Sequence, residues 1–347
     1  MTEKKKKNEI LYLSFNRDKT CLSLGMKTGY RIYDLTKKDS LFFYERIFGI
    51  GIGIIEMLEK TNILGLVGGT NEPLDNPNKL NIYVDKEGKY IAYISFKSPV
   101  LNIRLKKDII LVILENFIYL IETKNFKAID IVELGYDKQK KVVFSFTLEP
   151  DFNYLAYNYT NEENNKIIIR SYEKEKKNEP LELKTNYKTN NIILCMEFDR
   201  DGKILAVSAK NDNYLILYRT EDGIPICKCD LNSNSVNSLY ISFQPNNEFL
   251  CISLDVGEIV IFNIKSINEV LNNYDNENKK EIKEEIWSKF YLPEKKAICA
   301  FAGYEIGNNH IISIGAKGNY YLAKFDNIHK EELALKVDEK YILKIDN

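Results

Sequence analysis

Leu239-Tyr-Ile-Ser-Phe-Gln-Pro-Asn-Asn-Glu-Phe-Leu-Cys-Ile-Ser-Leu-Asp-Val-Gly-Glu-Ile-Val-Ile-Phe-Asn263 is a run of apolar stretches separated by polar turns. The stretches are short and rich in Ile, Val, Phe and Tyr, which suits a pleated, half-buried strand. The breaks, Gln244-Pro-Asn-Asn and Asp255-Val-Gly, are turn chemistry. Proline fixes one backbone angle, glycine admits the left-handed one, and Asn and Asp bond to their own backbone. The run therefore reads as three consecutive strands. The same grammar stands upstream in Leu194-Cys-Met-Glu-Phe-Asp-Arg-Asp-Gly-Lys-Ile-Leu-Ala-Val-Ser208, which ends in Tyr214-Leu-Ile-Leu-Tyr218. It stands again in Leu13-Ser-Phe-Asn-Arg-Asp-Lys-Thr-Cys-Leu-Ser-Leu-Gly25, followed by Gly29-Tyr-Arg-Ile-Tyr-Asp34.

Degenerate copies fill the gaps: Ile54 to Tyr83, Val100 to Ile121, Ser145 to Tyr172 and Ala300 to Phe325. That makes seven units at a mean spacing of about 50 residues, a period that belongs to radial repeat architectures. Apolar and polar residues alternate with period two, and one small sheet cannot bury its own faces. Packing such sheets radially covers both faces and leaves only short edges. The chain is therefore expected to be all-β, a seven-bladed β-propeller of four-stranded blades. A pair of β-sandwiches is the alternative, and seven similar units argue against it. Residues 1–9 read as a flexible basic tail and 10–347 as one propeller, with a long polar loop over 266–285. Only the charged segment from Asn278 to Trp287 approaches helical periodicity.

Of 347 residues, 44% are hydrophobic, enough for a large core; 49 basic side chains balance 50 acidic ones. A net charge of -1 exerts no global pull on nucleic acid or anionic membrane, so any anion site must be local. Cysteines at 21, 195, 227, 229, 251 and 299 lack CxxC spacing, and the chain has two histidines, His310 and His329. That composition predicts no zinc site and no cofactor; the cysteines read as small apolar core residues in a reducing compartment. The basic start, Lys4 to Lys7, has no apolar region after it, so it is not read as a signal peptide. A cytoplasmic monomer is the expectation.

Several stretches resemble the PROPPIN family, β-propellers that bind polyphosphoinositides and act in autophagy and endolysosomal traffic. They are Phe15 to Gly25 with Gly29 to Tyr33, Gly51 to Leu58, Leu64 to Gly69, and Lys79 to Tyr83 with Phe96 to Leu101. Near the end, Lys289 to Pro293, Cys299 to Phe301 and Gly318 to Tyr321 are similar to the family's last blade. The resemblance covers nearly the whole chain and rests on the order and spacing of these stretches. It implies a phosphoinositide membrane surface and trafficking proteins as partners, and peripheral association with autophagic or endosomal membranes.

It also implies a basic motif between blades five and six, Phe or Leu followed by Arg-Arg-Gly, whose arginines hold phosphates. A phosphomonoester carries about two negative charges, and arginine offers a forked donor that is always charged. In this chain the motif falls on Cys229-Asp230-Leu231-Asn232, and both arginines are missing. Of the supporting positions in blade six, Ser253 and Gly257 remain, while Glu258 and Val260 replace the family's Thr and His. In blade five, Ile216 replaces an Arg. Three readings stay open: the alignment slips between Asp230 and Asn237, lipid binding is weak, or Lys210, Arg219 and Lys228 supply the charge.

In this family a long blade-six loop helps enter the bilayer. Here the loop runs from about Ser266 to Glu285, and its middle, Asn272 to Glu281, reads Asn-Asn-Tyr-Asp-Asn-Glu-Asn-Lys-Lys-Glu, polar with both charge signs and too poor in apolar residues for interfacial burial. Trp287 and Phe290 are expected to pack in the core or rim. The loop Gly69 to Lys79, with Glu72, Pro73, Pro77 and Lys79, resembles the segment by which some members hold a protein partner. Gly49-Ile-Gly-Ile-Gly-Ile54 lacks dinucleotide-binding spacing. No nucleophile, acid or base falls in a recognisable constellation, so no enzyme is expected. The reading is a non-catalytic scaffold linked to phosphatidylinositol 3-phosphate; the alternative is a propeller that has lost lipid binding and acts through proteins alone.

Overall fold

The computed structural model describes residues 10–37, 42–69, 76–135, 142–147, 149, 153–160, 165–172, 180–183, 192–210, 212–232, 237–272, 282–302, 306–330 and 334–341. Seven sheets follow one another, each built on a four-stranded antiparallel meander, and the fold is a seven-bladed β-propeller of four-stranded blades. Blade one holds β1 (Ile10–Phe15), β2 (Cys21–Met26), β3 (Gly29–Asp34) and β4 (Phe42–Ile47). Blade two holds β5 (Ile52–Met57), β6 (Ile63–Gly68), β7 (Lys79–Val84) and β8 (Lys89–Ser95). Blade three holds β9 (Asn102–Leu105), β10 (Ile109–Ile113), β11 (Phe117–Glu122) and β12 (Ala128–Glu133). These three form one compact unit, residues 1–134.

The second unit, residues 135–347, holds the other four blades. Blade four is β13 (Phe144–Phe146), β14 (Tyr154–Thr160), β15 (Asn165–Ser171) and β16 (Leu181–Glu182). Blade five is β17 (Ile193–Phe198), β18 (Ile204–Ala209), β19 (Tyr214–Arg219) and β20 (Pro225–Asp230). Blade six begins with β21 (Ser238–Phe243), β22 (Phe249–Leu254) and β23 (Glu258–Asn263). An insertion follows, α1 (Lys265–Asn272) and β24 (Ile282–Glu284), before β25 (Ser288–Tyr291) completes the blade. Blade seven is β26 (Ala297–Phe301), β27 (His310–Gly315), β28 (Asn319–Lys324) and β29 (Leu335–Tyr341). The helix thus lies at 265–272; the described part of the charged segment expected to be helical carries a strand instead.

The second strand of a blade is buried on both faces, so it reads as a continuous apolar run and not as the expected alternation. Ile109 to Ile113 and Phe249 to Leu254 are buried at every position. Cores lie between successive blades within each unit. Leu250, Ile252 and Phe262 of blade six meet Leu215, Leu217 and Cys227 of blade five. Phe249 and Ile261 meet Phe301, Ile311 and Phe325 of blade seven on the other face.

The repeat extends to its irregularities. The fourth strand carries one extra residue at the same place in blades one, two, three, five and seven: Phe43, Ile91, Ile129, Ile226 and Val337. Such a bulge sharpens the local twist and turns the extra side chain out of the ladder. The first strand has its own bulge in blades one, two, five and six. In blade two the extra residue is Gly53, where a Cβ would come within 2.4 Å of the Gly69 Cα. The glycine-rich stretch around residue 51 is therefore a bulged strand meeting its hairpin partner.

Candidate functional site at the junction of blades five and six

β20 delivers the four motif positions to the end of blade five, where each has a structural task. Cys229 is buried, its Sγ 3.9 Å from that of Cys227; the neighbouring thiol and burial push its pKa up. Asp230 Oδ1 accepts the Asn232 backbone N–H at 2.8 Å, a local turn at the end of β20. Leu231 is buried in the core between blades five and six. Asn232 takes a left-handed φ of 51°, a conformation that Asn tolerates. An arginine at 231 would have to leave that core.

The surviving positions are equally committed. Ser253 is fully buried in β22, and its Oγ has no hydrogen-bond partner among the described residues. Gly257 has a φ of +86°, and a Cβ there would stand 2.4 Å from the Glu294 carbonyl oxygen. Glycine is thus required by the hairpin between β22 and β23 and by the chain that crosses it. Leu292 N–H donates to the Gly257 carbonyl at 2.7 Å, locking that crossing. Glu258 pairs with Lys289 at 3.2 Å, and Val260 is core.

The substitute cations do not gather. Lys210 is exposed in the turn after β18. Arg219 lies at the far end of β19, about 17 Å of strand beyond Tyr214 at some 3.4 Å per residue. There its guanidinium grips Asp222, with Nε donating to Oδ1 at 2.9 Å. Lys228 stands in β20 between Ile216 of β19 and Lys283 of β24. Its charge acts on Asp212, whose carboxyl burial nevertheless holds above the usual range.

Of the partner-loop residues, Glu72 and Pro73 lie outside the described residues. Pro77 accepts the Val100 N–H at 2.9 Å, and Lys79 Nζ sits 3.9 Å from the Tyr93 ring centroid. Trp287 packs edge-on against Phe249 and donates its indole N–H to the Asp326 carbonyl at 2.7 Å; Phe290 is buried.

Sequence reading missed a surface on the other unit. Ten of the thirteen exposed large apolar side chains among the described residues lie in residues 1–134, which marks that unit as the one with uncovered apolar surface. Seven of them, Phe43, Ile47, Tyr90, Ile91, Tyr93, Ile129 and Ile131, are on the fourth strands β4, β8 and β12. The signal was present in Ile91-Ala-Tyr93 and Ile129-Asp-Ile131, alternating apolar residues on strands with nothing in sequence to cover them.

Polar residues on the first strands are paired within each unit. Ser14 Oγ donates to Glu56 at 2.8 Å, and Arg104 stands 3.6 Å from the same carboxylate, which burial pushes up in pKa. Ser145 donates to Glu197 at 3.3 Å. Among the described residues no group of three or more His, Cys, Asp or Glu could hold a metal ion, and no helix is long and apolar enough to cross a membrane.

A family model described as PROPPIN matches residues 10–279. Autophagy-related protein 18 of Yarrowia lipolytica is 23% identical over an alignment covering 75% of this chain and 67% of that protein. Several other curated relatives are matched over only about a quarter to a half of their own length. Among solved structures, Kluyveromyces lactis Hsv2 with complete loop 6CD superposes with a TM-score of 0.78 at 15% identity, covering 96% of this chain and 99% of that one. The complex of KlAtg21 with the coiled-coil of AgAtg16 gives 0.74 at 18% identity, covering 96% and 99%. At these identities the structures bear on the fold alone.

Proposed function

The chain belongs to the PROPPIN family, and from that premise we propose that it is a non-catalytic scaffold of autophagy or related endolysosomal traffic. It acts on the cytoplasmic side, at membranes that carry phosphatidylinositol 3-phosphate, and associates with them peripherally. The observation that carries the reading is the family match across 10–279, which spans blades one to five and the first three strands of blade six.

Recruitment through a protein partner is favoured over direct headgroup binding. Cys229, Asp230, Leu231 and Asn232 serve the core and a turn, Ser253 is sealed from solvent, and Lys210 and Arg219 stand at opposite ends of the hairpin of β18 and β19. A phosphate needs convergent donors, and these do not converge. The uncovered apolar strands of residues 1–134, together with Lys79 over Tyr93, supply a surface on which a partner can dock. A structural neighbour, KlAtg21, is solved in complex with the coiled-coil of AgAtg16, and a partner of that kind is proposed for this chain.

Co-sedimentation with vesicles tests the choice. Plain phosphatidylcholine vesicles are compared with vesicles carrying phosphatidylinositol 3-phosphate, using purified protein of confirmed β content. Absence of lipid-dependent pelleting supports the partner-borne reading. Lipid-dependent pelleting that falls on Lys210→Ala, Arg219→Ala or Lys228→Ala restores the direct one.

A further inference from the structure

The blade-six insertion ends on blade five. β24 runs parallel to β20 and adds a fifth strand to that sheet, with Cys227 opposite Ile282, Lys228 opposite Lys283 and Cys229 opposite Glu284. Ile267 of α1 is fully buried in the core that contains Ile226, Cys227, Cys229 and Leu231. Leu271, Ile282 and Ile286 pack against the same core. The polar side chains tie the insertion down elsewhere. Ser266 Oγ donates to Glu284 at 2.9 Å, Lys265 pairs with Glu248 at 3.2 Å, and Lys330 donates to Glu285 at 2.8 Å.

The bulges provide an internal comparison. Phe43, Ile91 and Ile129 occupy the extra position of the fourth strand in blades one to three and are 46%, 51% and 51% exposed. Ile226 occupies it in blade five and is 4% exposed. Backbone, residue type and place in the repeat are alike; the difference is the cover that α1 and β24 supply. An unpaired strand edge with apolar residues invites another strand, and this chain fills the vacancy itself.

We propose that residues 265–272 and 282–286 form a self-docked arm that closes the edge of blade five, and that in this protein these segments do not enter a membrane. Interfacial insertion requires an apolar face turned to lipid. Here Ile267, Leu271, Ile282 and Ile286 face blade five, whereas Lys283 and Glu285 face solvent. The arm also brings the Glu284 carboxylate next to Cys229, where it pushes the thiol pKa further up. An anionic headgroup approaching β20 would meet a strand already paired and a negative charge.

Hydrogen exchange on the full chain tests this, with β8 as an uncovered edge for reference. The β20 amides that point away from β19 are expected to exchange at least about tenfold more slowly than the β8 amides that point away from β7. Equal rates would overturn the proposal, and that result needs no variant. In Ile282→Asp the same β20 amides should speed up to the β8 level while β22 stays protected; unchanged protection overturns it. Phosphatidylcholine vesicles with phosphatidylinositol 3-phosphate should leave the arm and β20 as they were. If such vesicles release β20 while slowing exchange in α1, the arm is a membrane element and the proposal fails.

Discussion

Gly257 sits under the Glu294 carbonyl at a positive φ, so an alanine there meets both backbone strain and a clash. Gly257→Ala should lower stability by about 1–3 kcal/mol from the strain alone, seen as a lower urea midpoint at unchanged slope. Leu231→Arg, which restores one family arginine, puts a charge into the core between blades five and six. It should cost about 2–5 kcal/mol and bring no lipid binding, a result that separates a lost motif from a misplaced one. Asp199 gives a pH signature. Burial pushes its carboxyl up to about 7, against the pull of the Ile204 and Lys203 N–H groups. The folded chain therefore keeps a proton that the unfolded chain releases near pH 4. The resulting contribution is fully present below about pH 4, falls as pH rises towards 7, and is flat above. Asp199→Asn should flatten that part of the profile, measured as urea midpoints at about pH 5 and pH 8.

At the scale of elements, the shared bulge makes two chemically identical substitutions unequal. Ile226→Asp should destabilise by about 3–5 kcal/mol, because the carboxylate enters a covered core. Ile91→Asp should stay within about 1 kcal/mol, because that side chain already meets water. Paired thermal or urea melts of the two variants decide the point. The blades themselves were legible in sequence: Leu239 to Asn263 contains β22, β23 and all but the first residue of β21, since strand periodicity and turn chemistry are local properties. The arm was not. β24 is three residues in a run of charges, and its partner β20 lies some fifty residues earlier in the chain, so no local pattern announces it. Ile267 and Leu271 are too few to give α1 a readable stripe, and the helix depends on the core that receives it.

Across the whole chain, the two units differ in what they leave uncovered. Residues 135–347 hold Cys229 to Asn232, Ser253 and Gly257, where the sequence resemblance implies phosphate contacts, and those residues are used for packing and turns. Residues 1–134 hold most of the exposed apolar side chains, on β4, β8 and β12. Tyr93→Asp combined with Ile91→Asp should abolish co-purification of a bound partner while leaving the circular dichroism spectrum and melting temperature in place. The candidate site was legible in sequence only as a set of missing arginines. What stands there instead depended on burial: no sequence rule shows that Ser253 is sealed or that Asp230 closes a turn. The cysteines carry a last consequence. All six are free, and five are buried: Cys21 in blade one, Cys227 and Cys229 in blade five, Cys251 in blade six and Cys299 in blade seven. Burial raises the Cys21 pKa to about 11, which keeps it a thiol and unreactive at neutral pH. A thiol-labelling reagent applied to the native protein will therefore modify each of these sites only as often as its surroundings breathe. Cys227 and Cys229 time the opening of the arm, and Cys251 beside Cys299, 3.6 Å apart, times the parting of blades six and seven. The chain thus comes with its own set of clocks, already placed blade by blade.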